Sequence, residues 1–538
     1  MTLDPAGLQV LLSRLDGAAD EMGAVLRRSA FSSNIKERAD CSAALFLPGG
    51  EMLAQAEHIP VHLGSMPASV AAVIDAVGGD VEPGAHYVVN DPFAGGTHLN
   101  DITLVTPVHT EGRLVGWTAT RAHHADVGGA APGSLPADAT EIYEEGLRLP
   151  PVRLTAEVRA VLLANSRTPV ERAGDMDAQV GANVIGAQRL AALADQPLDQ
   201  VVAYGERRMR AALAALPDGE WTFADQVDSF GPEPEQQRPG RITVALTKTG
   251  DAVVFDFSGT DRQRRGNVSA VEAVTYSAVA YALRSAVDPT IPTNGGALRP
   301  VRVVTEPGTI VSAQSPGAVG AGNVEVSQRV ADVCAGALAL AWPERVGAAS
   351  QGTMNNLLIG GTDRPPWVYY ETVGGGQGGR PGRAGMSGVH TAMTNTDQVD
   401  SRSRGALPGQ SGIHTCMTNT KNTPIEALER AFPLRVLRQR LRHGSGGAGL
   451  APGGEGIERE VEVLVDATAS IITERRVSQP WGLAGGEPGA RGENWLLPQG
   501  DERRAERLPD KCTIQLKAGD VVRMLTPGGG GWGRPADG

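Results

Sequence analysis

The sequence predicts a mixed α/β (α+β) fold built from several packed units. Helical apolar spacing in some segments and strand-like alternation around Gly-containing turns in others both point this way. So does a length of 538 residues, more than one ordinary domain holds. The expected divisions are an N-terminal α/β region over 1–165, helices with a β-hairpin over 166–345, a Gly-rich loop region over 346–456, and a β-rich part over 457–538.

Leu8, Leu11, Leu12, Leu15, Ala19, Met22, Val25 and Leu26 recur at helical spacing. Asp4-Pro5 supplies an N-cap and a first-turn proline, so a helix is expected over 5–29. "CSAALFLPGGEMLAQ" reads as strand, turn and strand around Pro48-Gly49-Gly50. "HYVVND" is a β-branched run that enters the loop "PFAGGTHLND". Two strands joined at "TEGR" follow and end at "RAHHAD". Residues 168–216 read as helices, "GRITVALTKTGDAVVFDFSGT" as a hairpin, and 270–287 as a buried helix. "PVRVVTEP" is a strand, and "GAVGAGNVEVSQRVADVCAGALALAWP" reads as loop and then helix. Beyond residue 457 the pattern alternates as strands do.

A net charge of −12 argues against nucleic acid as a main partner, because binding it requires Lys and Arg to neutralise phosphates. Cys41, Cys334, Cys416 and Cys512 are at least 82 residues apart, so no CxxC zinc or redox motif exists. They are read as reduced thiols. The N-terminus lacks the apolar run of a signal peptide, and no stretch reaches the length of a membrane span. The expectation is a cytoplasmic protein with no membrane partner.

The densest set of chemically capable residues runs from Asp91 to Asp126. His98 and Asp101 are three apart, so a helical turn would place them on one face. The returning strand can bring His123 or His124 alongside. Two imidazoles and a carboxylate with open positions suit Mn, Fe, Co or Zn, and the lack of thiolates argues against a closed structural zinc. Lone histidines are more often structural, but several His and Asp in one short span favour a metal. If His123 and His124 lie on a strand they face opposite ways, so one at most is a direct ligand. Asp40 is a weaker candidate ligand, with pairing to Arg38 or Lys36 as the plain alternative. For His58 and His62 a loop role is favoured over a ligand role, since Pro60 breaks any helix that would pair them. "GGGQGGRPGRAG" and "TPGGGGWG" do not match a phosphate-binding loop, and close backbone packing is their expected use.

"SSNIKERADCSAALF", "AQAEHIPVHLGSMP", "NDPFAGGTHLNDITLVTPV", "RAHHADVGG", "HTCMTNTKNTPIEALE" and the terminal "TPGGGGWG" occur in one order along the chain. Together they resemble the hydantoinase B / 5-oxoprolinase / acetone carboxylase alpha-subunit family. The resemblance implies an enzyme opening cyclic amides, with ATP bound by a separate A-type subunit that phosphorylates the ring. It implies manganese as the first-choice metal on His98, Asp101 and His123, with Asp40 in a lesser role. His124 or Asp126 would then shuttle protons. The substrate class would be hydantoin, N-methylhydantoin, 5-oxoproline or another lactam. The alternative is a subunit of an acetone- or acetophenone-type ATP-dependent carboxylase. One departure from the family pattern stands out: "GMSGVHTAMTNT" (385–396) recurs as "GQSGIHTCMTNT" (409–420), nine of twelve positions identical. The second copy leads into "KNTPIEALE" and is read as the family block. The first is read as an insertion, which puts any role for His390 or Asn395 in doubt.

Overall fold

The structure is a computed structural model that describes residues 3–57, 59–78, 81–361, 365–380 and 414–535. The first copy of the duplicated block, with His390 and Asn395, lies outside the described residues, as does His58. The mixed α/β expectation holds. The described residues form four sheets flanked by helices.

The first helix spans Pro5–Ser29, with the Asp4 side chain accepting from the Gly7 amide at 2.7 Å. Its apolar stripe (Leu11, Leu12, Leu15, Met22 and Leu26) is buried. Part of that surface packs on a second long helix, Pro169–Ala191.

The first sheet has the order β2-β1-β5-β4-β3-β6, from β1 (Cys41–Phe46), β2 (Met52–Glu57), β3 (Tyr87–Val89), β4 (Asp101–Thr110), β5 (Arg113–His123) and β6 (Val152–Arg153). Every pair in it is antiparallel. The helix Pro169–Ala191 packs on β4 and β5. A third helix, His62–Val77, is tied to the sheet by Arg121 of β5. That guanidinium is fully buried and donates to Thr103 Oγ1 at 2.8 Å, to Ser69 Oγ at 2.6 Å and to Ser65 Oγ.

The second sheet runs β10-β9-β8-β7, from β7 (Gly219–Val227), β8 (Gly240–Thr249), β9 (Ala252–Asp256) and β10 (Val301–Val304). The β9–β10 pair is parallel. The helix Ser327–Ala341 packs on β7 and β8 and on the helix Glu272–Ala286. The third sheet, β12-β11-β15-β18, comes from β11 (Asn356–Gly361), β12 (Trp367–Thr372), β15 (Ala467–Ile472) and β18 (Lys511–Leu516). The fourth, β13-β14-β19-β16-β17, comes from β13 (Leu434–Arg442), β14 (Gly456–Val463), β16 (Glu493–Leu497), β17 (Glu506–Leu508) and β19 (Val521–Leu525). One apolar core draws on Leu104 of the first sheet, Val244 of the second and Leu358 and Ile472 of the third.

The Gly-rich segments stack backbone on backbone. Gly447 donates to Gly529 O, Gly379 to Gly530 O and Gly454 to Gln377 O, all at 2.8 Å. A Cβ on Gly529 would sit 2.1 Å from Gln377 O, so glycine is required there for steric reasons. The amides that a phosphate loop would aim at a ligand are used here on neighbouring carbonyls. Among the described residues, no helix is long and apolar enough to cross a membrane.

Candidate metal centre

Antiparallel pairing assembles the site. In the order β1-β5-β4, the residue preceding β1 is Asp40, the last of β5 is His123 and the first of β4 is Asp101. Asp101 and His123 are register partners. The His123 amide donates to Asp40 O at 3.0 Å. Three neighbouring interior strands therefore bring their ends together on one side of the sheet.

His98 arrives from the turn before β4, where the Asp101 amide donates to His98 O at 3.1 Å. This is a tight turn, not the helical turn its spacing suggested, but it brings the same two side chains together. Asn90 holds the turn through Leu99 O at 2.8 Å. Asn100 holds it through His124 O at 2.9 Å and Gly133 O at 3.0 Å.

The resulting cluster is compact and buried. His98 Nδ1 lies 3.2 Å from Asp101 Oδ2, and His123 Nδ1 lies 3.6 Å from Asp101 Oδ1. One potential ligand atom from each of His98, Asp101 and His123 lies within 4.8 Å of the others. Thr97 Oγ1 donates to Asp101 Oδ2 at 2.5 Å. Burial works against the Asp101 charge, but His98 and the hydrogen bonds of His123 and His62 hold its carboxyl well below the usual range. Burial pushes His123 down to about 3, partly opposed by Asp101, so its imidazole is neutral at physiological pH.

His62 joins this cluster, contrary to the loop reading. It opens the helix His62–Val77, with Nε2 3.5 Å from Asp101 Oδ2 and Nδ1 2.9 Å from Ser42 Oγ. Asp40 forms no ion pair among the described residues. It lines the same cavity as Asp101, His123 and His62. Burial raises its carboxyl to about 7, Arg38 opposes the rise and Asp101 adds to it. Arg38 is fully buried and turned instead to neutral oxygens of Asn34, Tyr370, Thr372 and Lys421.

The remaining two candidates stand elsewhere. His124 points away from its neighbour, with Nε2 2.9 Å from Gln179 Oε1 on the helix Pro169–Ala191. Asp126 is fully buried and pairs with Arg167 at 2.9 Å, while also accepting from the amides of Gly128, Gly133 and Arg167. Neither lines the cavity. Both side chains are engaged outside it, His124 with Gln179 and Asp126 with Arg167.

Segments far away in sequence close the cavity. Tyr370 of β12 stacks on His123 with ring centres 4.7 Å apart and planes 16° apart. Its hydroxyl donates to Asn356 Oδ1 at 2.9 Å. Thr372, Thr418 and Thr420 form a linked row of hydroxyls, with contacts of 2.7 Å and 3.3 Å. Asn323 and Val324 come from a π-helical turn, Gly322–Val326. The space enclosed is about 20 Å³, enough for one ion or water.

A divalent metal fits these residues. His98 Nε2 and His123 Nε2 are buried with no hydrogen-bond partner, a costly state that a ligand would relieve. The donors are imidazole and carboxylate, which suit Mn, Fe, Co or Zn.

Residues 4–401 and 403–535 match the model of the family described as Hydantoinase B/oxoprolinase. The chain belongs to that family. It is 38% identical to an uncharacterized protein of Methanocaldococcus jannaschii, over 99% of this chain and 91% of that one. It is 37% identical to 5-oxoprolinase 1 of Arabidopsis thaliana, over 98% of this chain but only 42% of the plant protein. Among solved structures, it superposes on the ATP-dependent caprolactamase from Pseudomonas jessenii with a TM-score of 0.87 and 28% identity, covering 99% of this chain and 92% of that one. A nucleotide-free acetone carboxylase gives a TM-score of 0.86 at 18% identity, which shows a shared fold.

Proposed function

We propose that this chain is the metal-bearing subunit of an ATP-dependent enzyme that hydrolyses cyclic amides. The observation that carries the reading is the buried His98–Asp101–His123 cluster facing a cavity, in a member of a family named for hydantoinase and oxoprolinase. His98, Asp101 and His123 would hold the ion, with Asp40 and His62 beside them. Manganese is the first choice, and Zn, Fe or Co are compatible with the donors. When bound, such an ion lowers the pKa of water and polarises the bond to be cleaved.

The chain's own residues do the rest. Asp101, held ionised, orients His98, His123 and His62 around one point. The Tyr370 ring fixes the plane of His123. The buried wall of Ile59, Val61, Val324 and Met354 keeps bulk water out. A lactam ring is larger than the cavity, so only its reacting edge enters unless part of the wall yields. The loop His414–Thr420 carries two of the wall threonines and lacks regular secondary structure.

Amide resonance makes a lactam a poor electrophile, and activation before water attack would lower that barrier. Several described glycines of these loops donate their amides to neighbouring carbonyls, and ATP would be bound by an A-type partner subunit. The plant 5-oxoprolinase, of which this chain covers 42%, has length to spare for such a second function. Four free thiols, three of them buried, suit a cytoplasmic setting.

The test is purification of the chain with its ATP-binding partner, followed by ATP turnover on hydantoins, 5-oxoproline and larger lactams. Ring opening coupled to ATP supports the reading. ATP turnover that needs bicarbonate and a ketone would favour the carboxylase alternative instead.

A further inference from the structure

The π-helical turn Gly322–Val326 is a part of the cavity that the metal cluster leaves unexplained. Such turns are rare and concentrate at functional positions. This one is held on both sides. A Cβ on Gly322 would meet Ser269 O at 2.0 Å, so the turn packs tightly against that backbone. Glu325 is fully buried, and its Oε1 accepts from Asn356 Nδ2 at 2.8 Å and from the Met354 amide at 3.2 Å. Between these anchors the turn places Asn323 on the cavity wall, 3% exposed.

Asn323 uses half of its amide. Nδ2 lies 3.0 Å from His98 Nδ1, while Oδ1 is buried with no hydrogen-bond partner. Apart from the histidines, the other neutral polar side chains lining the cavity are Tyr370, Thr372, Thr418 and Thr420, and each has a partner. Among the described residues, Asn323 therefore joins the histidine Nε2 atoms in offering a buried polar atom to spare on this wall. A half-turn about the Cβ–Cγ bond exchanges its N–H and C=O arms. An imidazole Nδ1 donates in one tautomer and accepts in the other, so the contact with His98 is compatible with either arm. The amide can thus present an N–H to the cavity.

We infer that Asn323 is a catalytic residue that donates a hydrogen bond to the ring nitrogen of the activated cyclic amide. The inference rests on the hydrolytic reading above. In an O-substituted lactam the ring carbon is doubly bonded to nitrogen. When water adds, its oxygen bonds to that carbon, the π pair moves onto nitrogen, and one water proton follows. The C–N bond then breaks with its electron pair on nitrogen, which takes up the second proton as the carbonyl forms. Nitrogen gains electron density at each stage and needs a donor. An ionised carboxylate accepts hydrogen bonds and does not fill that place. An amide N–H fixed before the reaction can.

The test uses the full chain loaded with Mn²⁺ and the O-methyl lactim ether of γ-butyrolactam, which carries an activated ring without a phosphate. Asn323→Ala and Asn323→Asp are compared with wild type for kcat, KM, bound manganese and melting temperature. The Asp variant keeps the shape and loses the donor. Both variants are expected to lower kcat about a hundredfold, as loss of one such donor does, with KM, manganese content and melting temperature little changed. Full activity in either variant overturns the inference. Loss of manganese from Asn323→Ala also overturns it and makes the amide a support for His98. A wild-type chain that binds manganese but does not open the lactim overturns the inference and leaves the metal site standing. A wild-type chain that binds no manganese overturns both.

Discussion

Asp101 and His123 face each other in register across β4 and β5, with His123 Nδ1 3.6 Å from Asp101 Oδ1. An antiparallel pair thus delivers an acid and an imidazole from residues that the connecting hairpin separates in sequence. Asp101→Asn keeps the shape and removes the charge that faces three histidines. It is expected to weaken metal binding by at least about a hundredfold, the upper range for loss of an orienting partner. Titration of the chelator-stripped chain with Mn²⁺ measures this.

His124 offers the control. Its Nε2 contacts Gln179, so His124→Ala removes a buried hydrogen bond and leaves Gln179 Oε1 unsatisfied. The expected cost is about 1–3 kcal/mol of stability, with metal content unchanged. Urea unfolding together with metal analysis separates the two effects.

Arg167→Ala leaves the fully buried Asp126 carboxylate without its cation. Removing one partner of a buried pair costs about 3–5 kcal/mol, and the partial exposure of Arg167 puts the expectation at the lower end. Asp126 retains three backbone amides, so the fold survives at reduced melting temperature. A loss of ring opening with full stability would instead return Asp126 to a catalytic role.

Tyr370 separates ring from hydroxyl. Tyr370→Phe keeps the stack on His123 and gives up one hydrogen bond to Asn356, at a cost of about 1 kcal/mol. Tyr370→Ala removes the ring as well and is expected to cost about 3–5 kcal/mol. Metal affinity should fall in the Ala variant alone, because the plane of His123 is then unsupported.

Glu145 makes stability depend on pH. Burial raises its carboxyl to about 8, although the Val319 and Gly320 amides oppose the rise. A carboxyl raised on folding stabilises the folded state fully below its unfolded value near 4.5 and loses that contribution as pH rises through about 8. Between pH ~5 and ~9 the chain should therefore lose stability, by at most about 4 kcal/mol from this group. Glu145→Gln should flatten the profile, as followed by melting temperature across that range.

The sequence shows some of these relationships and hides others for physical reasons. His98, Asp101 and His123 were legible because a hairpin must return β5 beside β4, and the opposite facing of His123 and His124 follows from the strand period of two. His62 was obscured by Pro60, which marks a break and says nothing of the helix that begins just after it. Asn323, Tyr370 and Thr420 are not the His, Asp, Glu or Cys on which a metal motif is read, and they come from segments more than 200 residues from His98, so no local spacing connects them to it. The π-helical turn has no apolar period of its own and read as loop. The Gly-rich segments were recognisable as close packing, yet which loops they pack against could not be read from composition.

The account depends on an ion held by His98, Asp101 and His123. Elemental analysis of the full chain, purified without added metal and then titrated with Mn²⁺, tests it most directly against His98→Ala and His123→Ala. Near-stoichiometric divalent metal in wild type and its loss from both variants, at unchanged secondary structure, is the predicted result. A wild-type chain that holds no metal and takes up none, or variants that retain it in full, would contradict it.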